Sequence, residues 1–179
     1  MLGTPGQCRQ HAKGVAPNEG CRRLLRTESS AFGQSRDTAR VMSQENVEVA
    51  QRVYEILAKQ GVNEEAVLEM IEAGLVAPEA ELDFRSAYPD GEVWRIEGLG
   101  KFFESQPWGR SMRFEAEAFR PTGDDRVLVF VRAHGVGGGS GLEVEGRFAH
   151  LGTFRANRLT RIEVYTDRSK ALEAAGLSE

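Results

Sequence analysis

Beyond Cys21 the chain carries no cysteine, and both of its cysteines, Cys8 and Cys21, fall within residues 1–41. That excludes a disulfide framework or a cysteine-based zinc site from the rest of the sequence. His11 lies near the two thiols, but one histidine and two cysteines leave a zinc ion short of a fourth ligand, so two unpaired thiols are expected. Histidine is scarce too, with only His11, His134 and His150. No apolar run approaches the roughly 18 residues that span a bilayer. The best strand-sized run, Val127–Ala133, is interrupted by Arg132. The first residues also lack the apolar centre of a secretory signal, so the expected location is the cytoplasm, with no membrane partner.

A surplus of positive charge is missing as well. The net charge is -4, and it is unevenly spread. Residues 1–41 hold seven Lys/Arg against three acids, leaving sixteen bases and twenty-four acids for residues 42–179. An acidic domain repels a phosphate backbone, so nucleic acid is not an expected partner.

What is present divides in two. Residues 1–41 are rich in Gly, Ser, Arg and Gln, with too few apolar side chains to offset ordering entropy, and are expected to be a disordered basic extension. Met42 opens MSQENVEVAQRVYE, which reads like a protein start followed by a Ser43 helix cap. The expected domain is therefore 42–179, beginning with a helix from about Gln44 to Lys59. Val47, Ala50, Tyr54 and Leu57 form its apolar stripe, and Gly61 ends it. A second helix capped by Asn63 runs to about Leu75, broken by Pro78. A strand follows over Ala80–Ser86, then a turn at Tyr88-Pro89-Asp90-Gly91 and a short helix with Leu99, Phe102 and Phe103. Strands are expected over Met112–Arg120, Arg126–Val136, Leu142–Arg155 and Leu159–Thr166, then a small helix over Ser169–Ala175. Helices first and hairpin-linked strands after imply an α+β domain with a curved antiparallel sheet.

The segments SQENVEVAQRVYE, GLGKFFES, SGLEVEGRFAH and RIEVYTDRSKALEAAGL resemble the SnoaL-like polyketide-cyclase group of the ketosteroid-isomerase and nuclear-transport-factor-like superfamily. The resemblance covers about residues 43–177. It implies a cone: a strongly bent sheet wrapped around the long first helix, with a cavity at the open end. Members of that superfamily include isomerases, cyclases, dehydratases and epoxide hydrolases, besides domains with no known activity, so it implies a pocket and not a reaction. Tyr54 and Gly61 reproduce the seven-residue spacing of the isomerases' oxyanion tyrosine and its following glycine. The isomerases' protonated strand aspartate falls at His150. Their proton-abstracting aspartate falls at Phe84, between Asp83 and Arg85. A phenylalanine takes no proton, so steroid-type isomerisation is not implied.

Alternation places Val144, Gly146, Phe148, His150, Gly152 and Phe154 on one sheet face. His150 is the foremost candidate, either as a general base or as a buried histidine bonded to Tyr54 or a backbone carbonyl. Tyr54 is either an oxyanion donor or a packed core tyrosine. Asp83 is an acid-base partner only if its strand slips by one residue; otherwise it pairs with Arg85. Phe84, Trp94, Phe103, Trp108, Phe114, Phe148, Ile162 and Val164 are pocket-wall candidates that ordinary core packing would also explain. His134, Glu143 and Glu145 read as surface. The Gly137–Gly141 run reads as a hairpin tip rather than a phosphate loop, because a strand follows it. No cofactor and no metal are expected. Leu128 and Phe130 share the opposite sheet face, on which a homodimer through the sheet is expected. The expected function is proton transfer on an apolar, oxygenated small molecule, with a non-catalytic binding or dimerisation domain as the alternative.

Overall fold

A computed structural model describes residues 29–106 and 111–178, with side chains from Val41 onward. Residues 37–179 form one compact unit. The expectations for residues 1–28, including both cysteines and His11, and for Trp108 lie outside the described residues.

Helix α1 runs Ser29–Gln60. It starts well before Gln44, so Ser43 lies within it rather than capping it. SSAFGQSRDTARVMSQ contains no proline and only one glycine, and its Ala, Arg and Gln side chains suit a helix, which lets the helix continue backward. Residues 29–41 were expected to be disordered, and their backbone is helical. The C-terminus ends as expected: Gly61 adopts φ +76 and donates its N–H to the Leu57 carbonyl at 2.9 Å. A Cβ at Gly61 would come within 2.4 Å of the Met112 carbonyl oxygen, so glycine is required there twice over.

Helix α2 spans Glu64–Glu72, with the Asn63 side chain accepting from the Ala66 amide. It ends before Pro78, which does not break it. Proline lies instead inside strand β1, Val76–Asp83, where pairing to β6 is interrupted between Val76 and Glu81. A residue with no amide to donate is tolerated at such an irregularity. The strand thus begins earlier than Ala80. A three-residue strand β2, Val93–Arg95, precedes α3, Ile96–Ser105. Strands β3 (Arg113–Thr122), β4 (Arg126–Val136), β5 (Glu143–Arg155) and β6 (Arg158–Tyr165) lie within about a residue or two of expectation. Helix α4 covers Arg168–Ala175, capped by Asp167 and closed by left-handed Gly176.

The six strands form one curled, unclosed sheet in the order β2-β1-β6-β5-β4-β3. Every pairing is antiparallel except β1 with β6, which is parallel. The fold class is α+β, as expected, with that one parallel contact added. Strand β4 is buried on both sides over Val127–Val131, so its two faces feed two separate cores. Val127, Val129, Val131 and Ala133 join α1, α2 and α3 in the larger, concave cluster. Leu128 and Phe130 join Ala149, Leu151, Tyr165 and the α4 residues Ala171, Leu172 and Ala175 in the smaller, convex one.

The two residues on which the expected dimer face rests are not a free surface. Leu128 is 0% exposed and Phe130 4% exposed, both covered by α4 within the same chain. The Arg168 guanidinium lies 4.0 Å from the Phe130 ring centre and closes the edge of this cluster.

Candidate functional site

The concave core is not filled. Between α1, α2, α3 and the inner face of the sheet lies a cavity of about 740 Å³. Its wall includes Phe84, Trp94, Phe103, Phe114, Phe148, Ile162 and Val164, together with Tyr54 and His150. Neighbouring rings meet edge to face, as electron-rich faces and electropositive edges favour: Phe103 and Phe114 are 5.7 Å apart at 85°, and Phe102 and Phe103 5.4 Å apart at 89°.

Tyr54 comes from the C-terminal part of α1 and His150 from the middle of β5. The Tyr54 hydroxyl and His150 Nδ1 are 2.6 Å apart, a short buried hydrogen bond between residues distant in sequence. The imidazole is ringed by Tyr54, Phe114 and Phe148, with centroids 6.0, 6.2 and 6.3 Å away. Burial holds the imidazole at a pKa of about 4, because the charged form loses its water. The same cause pushes the Tyr54 phenol well above its usual value. Both groups are thus neutral across the physiological range. Nε2 of His150 has no hydrogen-bond partner among the described residues, yet it is not among the side-chain atoms sealed from solvent without one. Its lone pair or proton is available to whatever occupies the cavity.

Asp83 is elsewhere. Leu82 lines the cavity, so the next residue in β1 points to the other face. There Asp83 takes Arg85 through both carboxylate oxygens, at 2.9 and 2.7 Å, and Arg161 at 2.5 Å. These cations hold its carboxyl at a pKa of about 2, with the Arg85 hydrogen bond contributing most. The pairing with Arg85 is the one alternation allows, and Asp83 is not brought to the Tyr54–His150 pair.

Part of the wall escaped the sequence reading. The turn Tyr88–Glu92 forms a lip of the cavity, as do Val144 and Glu145 of β5. Glu145, expected at the surface, lies on this rim and also 3.9 Å from Arg132. The turn is held by Phe84 N–H donating to the Glu92 carbonyl and Gly91 N–H to the Tyr88 carbonyl, each at 3.0 Å. A Cβ on Gly91 would stand 2.1 Å from the Phe84 carbonyl oxygen, so this lip closes only with glycine. An aromatic-flanked Tyr-Pro-Asp-Gly was the available signal. His134 is on the surface, 3.9 Å from Glu115. Among the described residues no group of three or more His, Cys, Asp or Glu is arranged to hold a metal ion. No helix among them is long and apolar enough to cross a membrane.

A bent sheet around a long helix, hollow at one end, defines the α+β cone class. No family model matches the chain, and no curated protein does. Solved structures do. An NTF2-like protein of unknown function from Burkholderia pseudomallei K96243 superposes with a TM-score of 0.51 at 20% identity, covering 72% of this chain and 95% of its own. A candidate SnoaL-like polyketide cyclase from Jannaschia sp. CCS1 gives 0.51 at 17% identity, covering 76% and 94%. A protein with a ketosteroid isomerase-like fold from Catenulispora acidiphila DSM 44928, in complex with trimethylamine, gives 0.51 at 16%, covering 73% and 94%. The chain has the NTF2-like fold that SnoaL-like and ketosteroid isomerase-like proteins share.

Proposed function

We propose that the protein binds an apolar, oxygenated small molecule in the cone and moves a proton beside its carbonyl group, as an isomerase, cyclase or dehydratase would, without a cofactor. The observation that carries this reading is the buried 2.6 Å contact of Tyr54 with His150 on the wall of an otherwise apolar cavity. His150 is the base or proton shuttle, since a neutral imidazole with a free nitrogen accepts a proton where water is scarce. Tyr54 is the donor to the oxygen on which negative charge develops.

The test is hydrogen–deuterium exchange at the carbon next to the carbonyl of 1-tetralone, an apolar aryl ketone. The full-length protein in deuterated buffer accelerates the exchange, and His150→Gln slows it by about a hundredfold or more while the fold persists. Full exchange activity in a folded His150→Gln protein would overturn the assignment. One observation favours a second reading, a non-catalytic binding domain: Phe84 lines the cavity at the place where the isomerases' carboxylate is expected, and Asp83 is engaged by arginines. Ligand binding with no acceleration of exchange would select it.

A further inference from the structure

The Tyr54–His150 pair sits where neither member can carry charge. Burial alone disfavours both the imidazolium and the phenolate, and no neighbouring ion offsets it for either group. Among the described residues lining the cavity there is no lysine or arginine, while Asp90, Glu92 and Glu145 stand on its rim. A carboxylate or phosphate entering this cavity would be desolvated with no cation beside it and would pass acids on the way in.

We propose that the pair works as a neutral proton relay, and that its substrate is an uncharged, enolisable carbonyl compound rather than a carboxylate or phosphate ester. This rests on the proton-transfer reading above. The hydrogen bond allows two neutral arrangements. In the first, Nδ1–H donates to the Tyr54 oxygen, the Tyr54 O–H donates to the ligand carbonyl, and Nε2 presents a lone pair. Nε2 takes a proton from the carbon beside the carbonyl. The C–H bonding pair becomes the enol double bond and the carbonyl π pair moves onto oxygen. That oxygen takes the Tyr54 proton as Tyr54 takes the proton of Nδ1. The second arrangement results: Nε2–H, with Tyr54 O–H donating to Nδ1. The reverse sequence at another carbon of the conjugated enol, with Nε2–H delivering the proton and Tyr54 recovering the enol proton, restores the first. The double bond has moved, no ion has formed, and no co-reactant is needed.

The relay makes the tautomer of His150 depend on the ligand's oxygen. NMR of the 15N-labelled full-length protein reads which ring nitrogen carries the proton. Benzophenone has a carbonyl and no hydrogen on the adjacent carbons, so its complex cannot turn over, and it should place the proton on Nδ1. With 2-naphthol, an aromatic enol, the proton should sit on Nε2. In Tyr54→Phe, benzophenone still binds but the exchange of tautomers is lost. 2-Naphthoate, the same ring system bearing a carboxylate, should bind at least about tenfold more weakly than 2-naphthol. Both ligands bound with one and the same tautomer, or a doubly protonated ring, would overturn the relay alone. Equal affinity for 2-naphthoate would overturn the charge selection. No perturbation of any cavity residue by either uncharged probe would overturn the ligand-pocket reading, and the relay with it.

Discussion

The two faces of the sheet solve different problems with the same strands. On the convex side, Leu128, Phe130, Ala149 and Leu151 are packed solid beneath α4. On the concave side, the alternate residues of β4 and β5 support a void and hold a polar pair at its wall. One face is closed by a short helix bearing small and aliphatic side chains; the other is kept open by rings that brace one another. Protein interiors are ordinarily filled, because a void forfeits dispersion contacts on one side of every atom that lines it. A hollow kept on only one face of a sheet is therefore a cost set apart for something other than stability.

The largest expected effect tests that contrast directly. Phe130→Ala should lower stability in urea by about 3–5 kcal/mol, since the dense convex core cannot collapse around the missing ring. Phe148→Ala, on the cavity wall and only partly buried, should lower it by less than about 2 kcal/mol. Equal losses from the two would mean that the cone is as tightly packed inside as outside.

Acidification should break the two sides of the sheet in sequence. His150 has a folded pKa of about 4, below its ordinary 6.5, so the unfolded chain binds the proton first. Stability is then lost as pH falls from about 6.5 to 4, at up to about 1.4 kcal/mol per pH unit. Asp83 has a folded pKa of about 2 against its ordinary 3.8, so its contribution is fully present above about pH 4 and is lost between there and about 2. In urea titrations at stepped pH, His150→Gln should flatten the first window and Asp83→Asn the second. An unchanged first window in His150→Gln would remove the buried neutral imidazole from the account.

The smallest effect concerns the lip. Gly91→Ala should cost about 1–3 kcal/mol, as the added methyl drives the turn away from the Phe84 carbonyl. It should also weaken benzophenone binding, while the same change at Gly123, whose added methyl meets nothing within 4 Å, should leave binding alone.

Much of this was legible before any coordinates. Strands β3 to β6 announce themselves by alternation, with proline or glycine at the β3–β4 and β4–β5 turns and the polar Ala156-Asn157 turn between β5 and β6. One parity along β5 is enough to put Phe148 and His150 on a common face. Of the two readings of His150, the structure shows the histidine bonded to Tyr54, and that bond leaves the second nitrogen open for the base role proposed above. What could not be read depends on contacts between distant segments. Parity shows that Leu128 and Phe130 share a face, but not that α4 returns to cover it. Pro78 reads as a breaker unless the bulge that tolerates it is known. The forward limit of α1 suffered from the opposite error, a capping serine that the helix simply runs through.

The proposed proton path is divided between α1 and β5, whose contributing residues lie 96 positions apart. No local segment holds both halves. The Tyr54–His150 contact exists only with α1 seated against β5, so the proposed relay needs the finished fold. On that proposal, folding itself is what brings the donor and the acceptor of the proton together.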